Sequence, residues 1–182
     1  FEGELDLIEM YNDKQVEYEQ IFGESYNLMV AERGWPFMKM HQYEDAKYWA
    51  TRGIESDRDW QKSLGYNVLC ATSGEQGNRE DSLNYCEGAL KHAYESGTGI
   101  TIDASNACNA AFGVFDFEKA ERYAVAATQA NDGSTVSAWI NLLYITLSRG
   151  QGESAVSAMQ GMQDALAGED PDMRSQKRAD VD

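Results

Sequence analysis

A short pattern that opens a helix-like run recurs four times along this chain. Each copy leads through polar or charged residues to a small residue, and these small residues are Ala46, Ser82, Ala120 and Ala155. They are separated by 36, 38 and 35 residues. A recurrence near this period is typical of stacked helical hairpins, because a lone hairpin cannot bury its apolar stripe. The pattern therefore predicts an all-α protein.

Turn signals and composition divide the chain into three segments. Residues 1–23 are predicted to form an acidic N-terminal helix, residues 24–168 a helical repeat domain, and residues 169–182 a frayed polar tail. The repeat domain contains about four antiparallel helix-turn-helix pairs in an α-solenoid. Pro36 predicts a kink or an early last turn in the first pair, since proline removes a backbone donor.

Two local signals predict helix boundaries in the second half of the chain. Ile100-Thr101-Ile102 is too short for a strand, and Asp103 is expected to cap the helix that follows it. Asn131-Asp132-Gly133-Ser134 is predicted to end one helix and cap the next.

The four pairs resemble tetratricopeptide repeats over residues 27–167. The fourth pair matches best at its start, with Trp139, Leu142, Gly150 and Ala155 at the offsets of the family pattern. The match is degenerate, because no pair has the full set and none ends in the usual proline. The resemblance implies a right-handed superhelix, a role in protein binding, and a concave face lined by the first helix of each pair.

Eight residues are the predicted ligand or peptide contacts on that concave face. They combine large apolar groups with asparagines, which offer both a donor and an acceptor to a peptide backbone, and with two charged residues. The set is Trp35, Met38, Lys39, Asn67, Glu75, Asn109, Phe112 and Tyr144. The alternative is that the chain's own ends, or a neighbouring repeat, cover this face.

The formal charge of −16 restricts the class of partner. Such a field repels nucleic acid and anionic membrane surfaces, so we expect no nucleic-acid binding and a protein or peptide partner of neutral to basic character. The apolar runs are short and interrupted, which predicts no membrane insertion. A solvated, solubilising surface is the simpler interpretation of the acidic residues.

No catalytic, metal or cofactor site is predicted. His41 and His92 are far apart in sequence and are interpreted as surface residues. Cys70, Cys86 and Cys108 form no CxxC pair and are expected to be buried, unpaired packing residues. Unpaired cysteines favour the cytoplasm, and a leader removed ahead of Phe1 would leave an extracytoplasmic location open.

The leading functional hypothesis is a non-enzymatic interaction module that holds a peptide or partner segment in its groove. A self-associating scaffold or spacer domain of a larger protein is the second hypothesis. A third is that the chain, as a trimmed fragment, accompanies an enzyme domain.

Overall fold

The computed structural model describes residues 31–168, except residues 131 and 134. A 3-10 helix, Ala31–Arg33, precedes eight α-helices in this part of the chain, and no strand is present there. The helices are α1 (Gly34–Lys39), α2 (Tyr43–Ile54), α3 (Asp59–Glu75), α4 (Arg79–Ser96), α5 (Ile100–Gly113), α6 (Phe117–Gln129), α7 (Val136–Ser148) and α8 (Gly152–Gly168). The prediction of an all-α protein is confirmed. The predicted N-terminal helix and C-terminal tail lie outside the described residues.

The chain divides into two compact units, Phe1–Ser96 and Gly97–Asp182. The division falls at a glycine-containing link, Ser96-Gly97-Thr98-Gly99, in which both glycines have positive φ angles of 71° and 76°. Glycine is suited to these left-handed conformations because it has no Cβ.

In the first unit, each helix packs against the next, and α1 also contacts α3. The core contains Met38, Ala46, Ala50, Val68 and Leu69. α3 lies very close to α2, because a Cβ atom added at Gly65 would stand 2.5 Å from the carbonyl oxygen of Ala50. Glycine at this position therefore sets the distance between the two helices.

α3 is buried on several of its sides, since the 3-10 helix, α1, α2 and α4 all contact it. Its buried residues accordingly include small and polar ones beside the apolar ones; the polar members are Gln61, Ser63, Asn67, Thr72 and Ser73. Ser82 of α4 donates a hydrogen bond of 2.9 Å from its hydroxyl to the carbonyl oxygen of Cys70.

A disulfide bond joins Cys70 of α3 to Cys86 of α4, with their Cα atoms 5.1 Å apart. The prediction that all three cysteines are unpaired was therefore wrong for these two residues. Neither spacing nor motif indicated the bond, because the antiparallel hairpin brings together residues that are 16 positions apart. Cys108 is a buried free thiol, as predicted. The cysteines thus no longer favour a reducing compartment.

In the second unit, consecutive helices pack together, and α5 also contacts α7. α5 and α6 meet through fully buried alanines, Ala104, Ala107 and Ala111 on α5 and Ala120, Ala124 and Ala127 on α6. Alanine on both sides allows two helix backbones to approach closely. In the next pair the indole of Trp139 lies against Gly161, where an added Cβ would stand 2.6 Å from the ring.

The four recurring small residues are all buried, with 0% to 7% of their surface exposed, at Ala46, Ser82, Ala120 and Ala155. Each lies near the start of the second helix of its pair. The register of the sequence pattern therefore correctly located the residues at which the helices of each pair pack together.

Two boundary predictions need correction. α5 begins at Ile100, with Gly99 at its N-cap, so Asp103 lies in the first turn and does not cap the helix. Pro36 lies in the first turn of the short helix α1, where its missing N–H costs no intrahelical bond. Within the described residues, no helix has both the length and the apolar content needed to span a membrane.

Candidate functional site

A pocket of about 170 Å³ opens between α5 and α7 in the second unit. Its lining residues recur at helical spacing, so that one face of each helix supplies them. α5 contributes Cys108, Asn109 and Phe112, and α7 contributes Asn141, Tyr144, Ile145 and Ser148. None of these residues is charged at neutral pH.

The pocket has a buried apolar floor and an exposed aromatic rim. Cys108 and Ile145 are each 1% exposed, whereas Phe112 is 36% and Tyr144 is 64% exposed. The ring of Phe112 is fixed by an edge-to-face contact with Phe117, with the ring centroids 5.4 Å apart. An apolar group that entered the pocket would therefore lose water on several sides, and aromatic contacts are typical of such anchor sites.

Two asparagine side chains, Asn109 and Asn141, provide polar groups at the pocket. Neither makes a side-chain hydrogen bond to another described residue. Each amide therefore keeps its carbonyl oxygen and its NH₂ group for a ligand. The hydroxyl of Ser148 donates to the carbonyl oxygen of Tyr144 at 2.7 Å, so its proton is already in use.

The pocket lining includes the thiol of Cys108, which would be a nucleophile only as the thiolate. Burial desolvates the thiolate and raises the pKa of Cys108 to about 12. The group therefore stays protonated at neutral pH and behaves as a small apolar residue. The pocket is suited to binding and lacks an activated thiol.

Other apolar side chains of the second unit are also exposed. Ile102 on α5 is 64% exposed, and Leu147 on α7 is 58% exposed. Phe115, in the turn between α5 and α6, is 70% exposed and has a φ angle of 63°. This left-handed conformation is unfavourable for a bulky residue, and such outliers often occur at functional positions. Phe115 also contacts Phe117, with the ring centroids 6.3 Å apart.

The structure brings three of the eight predicted contact residues, Asn109, Phe112 and Tyr144, to this one pocket. The other five belong to the first unit. Among these, Lys39 and Glu75 are exposed, and Trp35 is partly buried against the core.

Met38 and Asn67 differ from the expectation of a solvent-facing groove, because they are only 4% and 5% exposed. Met38 belongs to the core of the first unit, and Asn67 lies on the multiply contacted helix α3. The binding role of the predicted set as a whole stays a prediction.

Sequence reasoning missed four residues of the pocket, Cys108, Asn141, Ile145 and Ser148. On α7 the sequence also placed Ile140 and Leu147 on the concave face beside Tyr144. Ile140 was thus taken in place of its neighbour Asn141, and one residue corresponds to about 100° around a helix. The spacing of Asn141, Tyr144 and Ser148 was the signal that could have identified this face. Cys108 and Ile145 were harder to find, because their burial is typical of core residues.

The two histidines have different environments. His41 is exposed, as predicted, and its Nδ1 lies 2.7 Å from the hydroxyl of Tyr43. The prediction of a surface position was wrong for His92, because only 14% of its side chain is exposed and its ring stacks on Tyr66. His92 also contacts two carboxylates of the first unit.

Comparison with known proteins adds no relative from which a role can be transferred. No protein-family model matches the chain, and no match to a curated protein was found.

Proposed function

We propose that this protein is a non-enzymatic interaction module that binds a peptide or an extended segment of a partner protein through the α5–α7 pocket. The observation that carries the proposal is the combination of an exposed aromatic rim with two asparagines that make no side-chain bonds to described residues. Interfaces are commonly anchored in this way, by aromatic groups beside a few convergent polar groups.

The size of the pocket favours one side chain of a peptide over a whole small molecule. Its volume of about 170 Å³ is below the roughly 300–1,000 Å³ that is usual for drug-sized ligands. An apolar side chain would enter between Phe112 and Tyr144, and the amides of Asn109 and Asn141 would bind the adjacent backbone. A peptide N–H and C=O that lose water need such partners.

The expected partner is neutral to basic. The residues that line the pocket carry no charge, so the pocket itself does not demand a charged ligand. The chain as a whole carries a formal charge of −16, which attracts basic segments and repels acidic ones. Electrostatic attraction of this kind acts mainly on the rate of association.

We further propose that the helical pairs stack as a degenerate tetratricopeptide-like solenoid. Within each unit the first helix of one pair contacts the first helix of the next, α1 with α3 and α5 with α7. Stacked hairpins produce such contacts. Their close packing also accounts for the buried small residue near the start of each second helix.

Self-association is the second candidate function. It is favoured by exposed apolar residues on several elements of the second unit, including Ile102, Phe115, Leu147 and Val156. Exposed apolar groups that cluster on a surface often mark a protein interface. A second copy of the chain could cover them, and the protein would then act as a scaffold.

The experiment is a selection from a random peptide library displayed on phage, followed by affinity measurement on the selected synthetic peptides. We expect Tyr144→Ala and the Asn109→Ala/Asn141→Ala double variant each to weaken binding about tenfold or more, because truncating an interface anchor costs about 1–2 kcal/mol. Light scattering over a range of concentrations gives the oligomeric state in parallel.

Matched controls are Tyr48→Ala and Asn84→Ala, which remove the same residue types from exposed positions on α2 and α4. These variants should bind like the wild-type protein. Peptide binding that survives all the pocket substitutions would contradict the proposed site. A concentration-dependent dimer that binds no peptide would favour the scaffold instead.

A further inference from the structure

A cluster of three metal-ligating side chains lies in the first unit, at the end of the α3–α4 hairpin opposite its turn. Asp59 is the first residue of α3, and His92 and Glu95 lie one turn apart near the end of α4. Their ligand atoms all lie within 4.8 Å of one another. The antiparallel packing of α3 and α4 brings these residues together although they are distant in sequence.

Both carboxylates of the cluster converge on the same atom, Nδ1 of His92. Oδ1 of Asp59 lies 3.0 Å from this nitrogen, and Oε2 of Glu95 lies 2.7 Å from it. One nitrogen can carry one proton, so a single N–H would have to be shared between two acceptors. A divalent cation among the three atoms would interact favourably with all of them and would neutralise both carboxylates.

The position of His92 is fixed, whereas the carboxylates remain accessible. The imidazole stacks on the ring of Tyr66 at a centroid distance of 5.6 Å and an interplanar angle of 13°. Only 14% of the His92 side chain is exposed, against 37% for Asp59 and 43% for Glu95. A preset ring orientation favours metal binding, and the exposed carboxylates allow an ion and its remaining water to enter.

Two lysines already neighbour the cluster and compete with a cation. Nζ of Lys62 lies 3.5 Å from Asp59, and Nζ of Lys91 lies 3.9 Å from Glu95. Both distances are longer than the 2.7–2.9 Å of a strong charge-assisted hydrogen bond. Exposed pairs of this kind contribute little, so a bound ion can displace them.

The donor set of one imidazole nitrogen and two carboxylate oxygens fits a zinc-class ion. Zinc binds histidine nitrogen at about 2.0–2.1 Å and carboxylate oxygen at about 2.0–2.2 Å, so two ligand atoms of a tetrahedral shell are about 3.4 Å apart. The carboxylate oxygens lie 3.0 and 2.7 Å from Nδ1 of His92, and all three ligand atoms lie within 4.8 Å of one another, so binding of the ion would require rotations of the Asp59 and Glu95 side chains. The i, i+3 spacing of His92 and Glu95 places both on one helix face, as in helical metal sites.

We propose that Asp59, His92 and Glu95 form a binding site for a divalent transition-metal ion of the zinc class. The three side chains supply three ligands, and water completes a tetrahedral shell, which is the open type of zinc coordination. The ion would hold together the open end of the hairpin, about 16 Å along the helix from the disulfide bond at Cys70. The proposal is independent of the peptide-binding function.

The experiment is titration calorimetry of the full, tag-free chain with Zn²⁺, in the presence of excess Mg²⁺ to occupy weak sites on the acidic surface. We expect one Zn²⁺ per chain and a rise in melting temperature on binding, because a ligand that binds only the folded state stabilises it. His92→Gln should weaken binding by at least tenfold, since even outer-shell changes at metal sites cost roughly 10–100-fold.

His41→Gln is the matched control, because it removes the other histidine of the chain, and it should bind Zn²⁺ as the wild type does. Glu95→Gln is a second test variant at a more exposed ligand, in case His92→Gln fails to fold. No saturable Zn²⁺ binding by the wild-type chain would overturn the proposal. Equal affinity for the wild type and a folded His92→Gln or Glu95→Gln variant would overturn it as well.

Discussion

At the scale of single residues, Asp132 caps helix α5, whereas the sequence predicted that Asp103 would cap it. Its carboxylate accepts hydrogen bonds from the backbone N–H groups of Ile100 and Thr101, at 2.5 and 3.0 Å, and from the Thr101 hydroxyl at 2.5 Å. Gly99, at the N-cap of α5, has no side chain for this purpose. Asp132 therefore caps α5 from a position over 30 residues away in sequence.

These contacts determine the titration of Asp132. Burial desolvates the carboxylate and acts to raise its pKa, but the hydrogen bonds from Thr101 and Ile100 outweigh burial and lower the pKa below its usual value. Because the pKa of Asp132 is lower in the folded protein than in the unfolded chain, the ionised carboxylate stabilises the folded protein. This stabilisation is fully present above the ordinary pKa of about 3.9, and it is lost as the pH falls through the folded-state pKa.

We predict that Asp132→Ala lowers the free energy of unfolding by about 1 kcal/mol at pH 7, the usual value of a helix cap. The difference between variant and wild type should narrow below about pH 4, as Asp132 becomes protonated. Urea denaturation at a series of pH values measures this difference in the free energy of unfolding. Asp57→Ala, at an exposed acid in the turn before α3, is the control. A gap between Asp132→Ala and wild type that does not change with pH would contradict the prediction.

At the scale of elements, the α3–α4 hairpin is the most firmly joined pair of the first unit. Its helices share the disulfide bond and the hydrogen bond from Ser82 to Cys70, and they meet again at the Asp59–His92–Glu95 cluster. A disulfide stabilises mainly by limiting the unfolded chain, and closing a loop of about 15 residues contributes about 3 kcal/mol.

We predict one titratable thiol per chain after denaturation without reductant, and three after reduction. Reduction should also lower the urea midpoint of the wild-type protein, because the unfolded chain regains conformational freedom. The Cys70→Ala/Cys86→Ala variant should have the same midpoint with and without reductant, whereas Cys108→Ala should respond like wild type. Three thiols in the non-reduced wild type would refute the bond.

The sequence predicted where the helices lie along the chain more reliably than it predicted which face of each helix is buried. The recurring small residues located the second helix of each pair, because alanine or serine is needed where helices cross closely. On α3 the same reasoning failed for Asn67, since a helix contacted on several sides has no single apolar stripe to reveal its orientation. The periodicity of an amphipathic helix is informative only where one face meets solvent.

Long-range pairings could not be predicted from local patterns. The bond between Cys70 and Cys86, the cap from Asp132 and the approach of Asp59 to His92 each join residues separated by 16 to 33 positions. Local sequence gives no distance information across a hairpin until the register of the two helices is known. The pocket was predicted for three of its seven lining residues, because the face of α7 was assigned one residue away, so that Asn109 was included and Asn141 was missed.

At the scale of the whole molecule, net charge is the dominant feature. The chain carries a formal charge of −16, and several ion pairs in the described part join partly accessible side chains three or four positions apart, such as Lys47 with Glu44. Such pairs contribute little to stability. The excess acids therefore repel one another and destabilise the compact state.

We predict that raising NaCl from about 10 to 150 mM raises the melting temperature, because the Debye length falls from about 30 to 8 Å and screens this repulsion. Differential scanning calorimetry measures the shift. A Glu75→Gln/Glu80→Gln/Glu118→Gln variant, altered at exposed positions, should show a smaller salt response. A melting temperature that falls with salt would mean that attractive pairs outweigh the repulsion.

Because of the disulfide bond, the turn between α3 and α4 is not the only covalent connection between these two helices. Gly77, in this turn, is exposed, has a φ angle of 78°, and has no neighbour within 4 Å of where a Cβ would stand. Because Cys70 and Cys86 connect the helices on either side, the peptide chain through the turn is a second, redundant link between them. A protease could therefore cut the chain in this turn, or a circular permutation could place new chain ends there. In either case the disulfide bond would still connect α3 to α4.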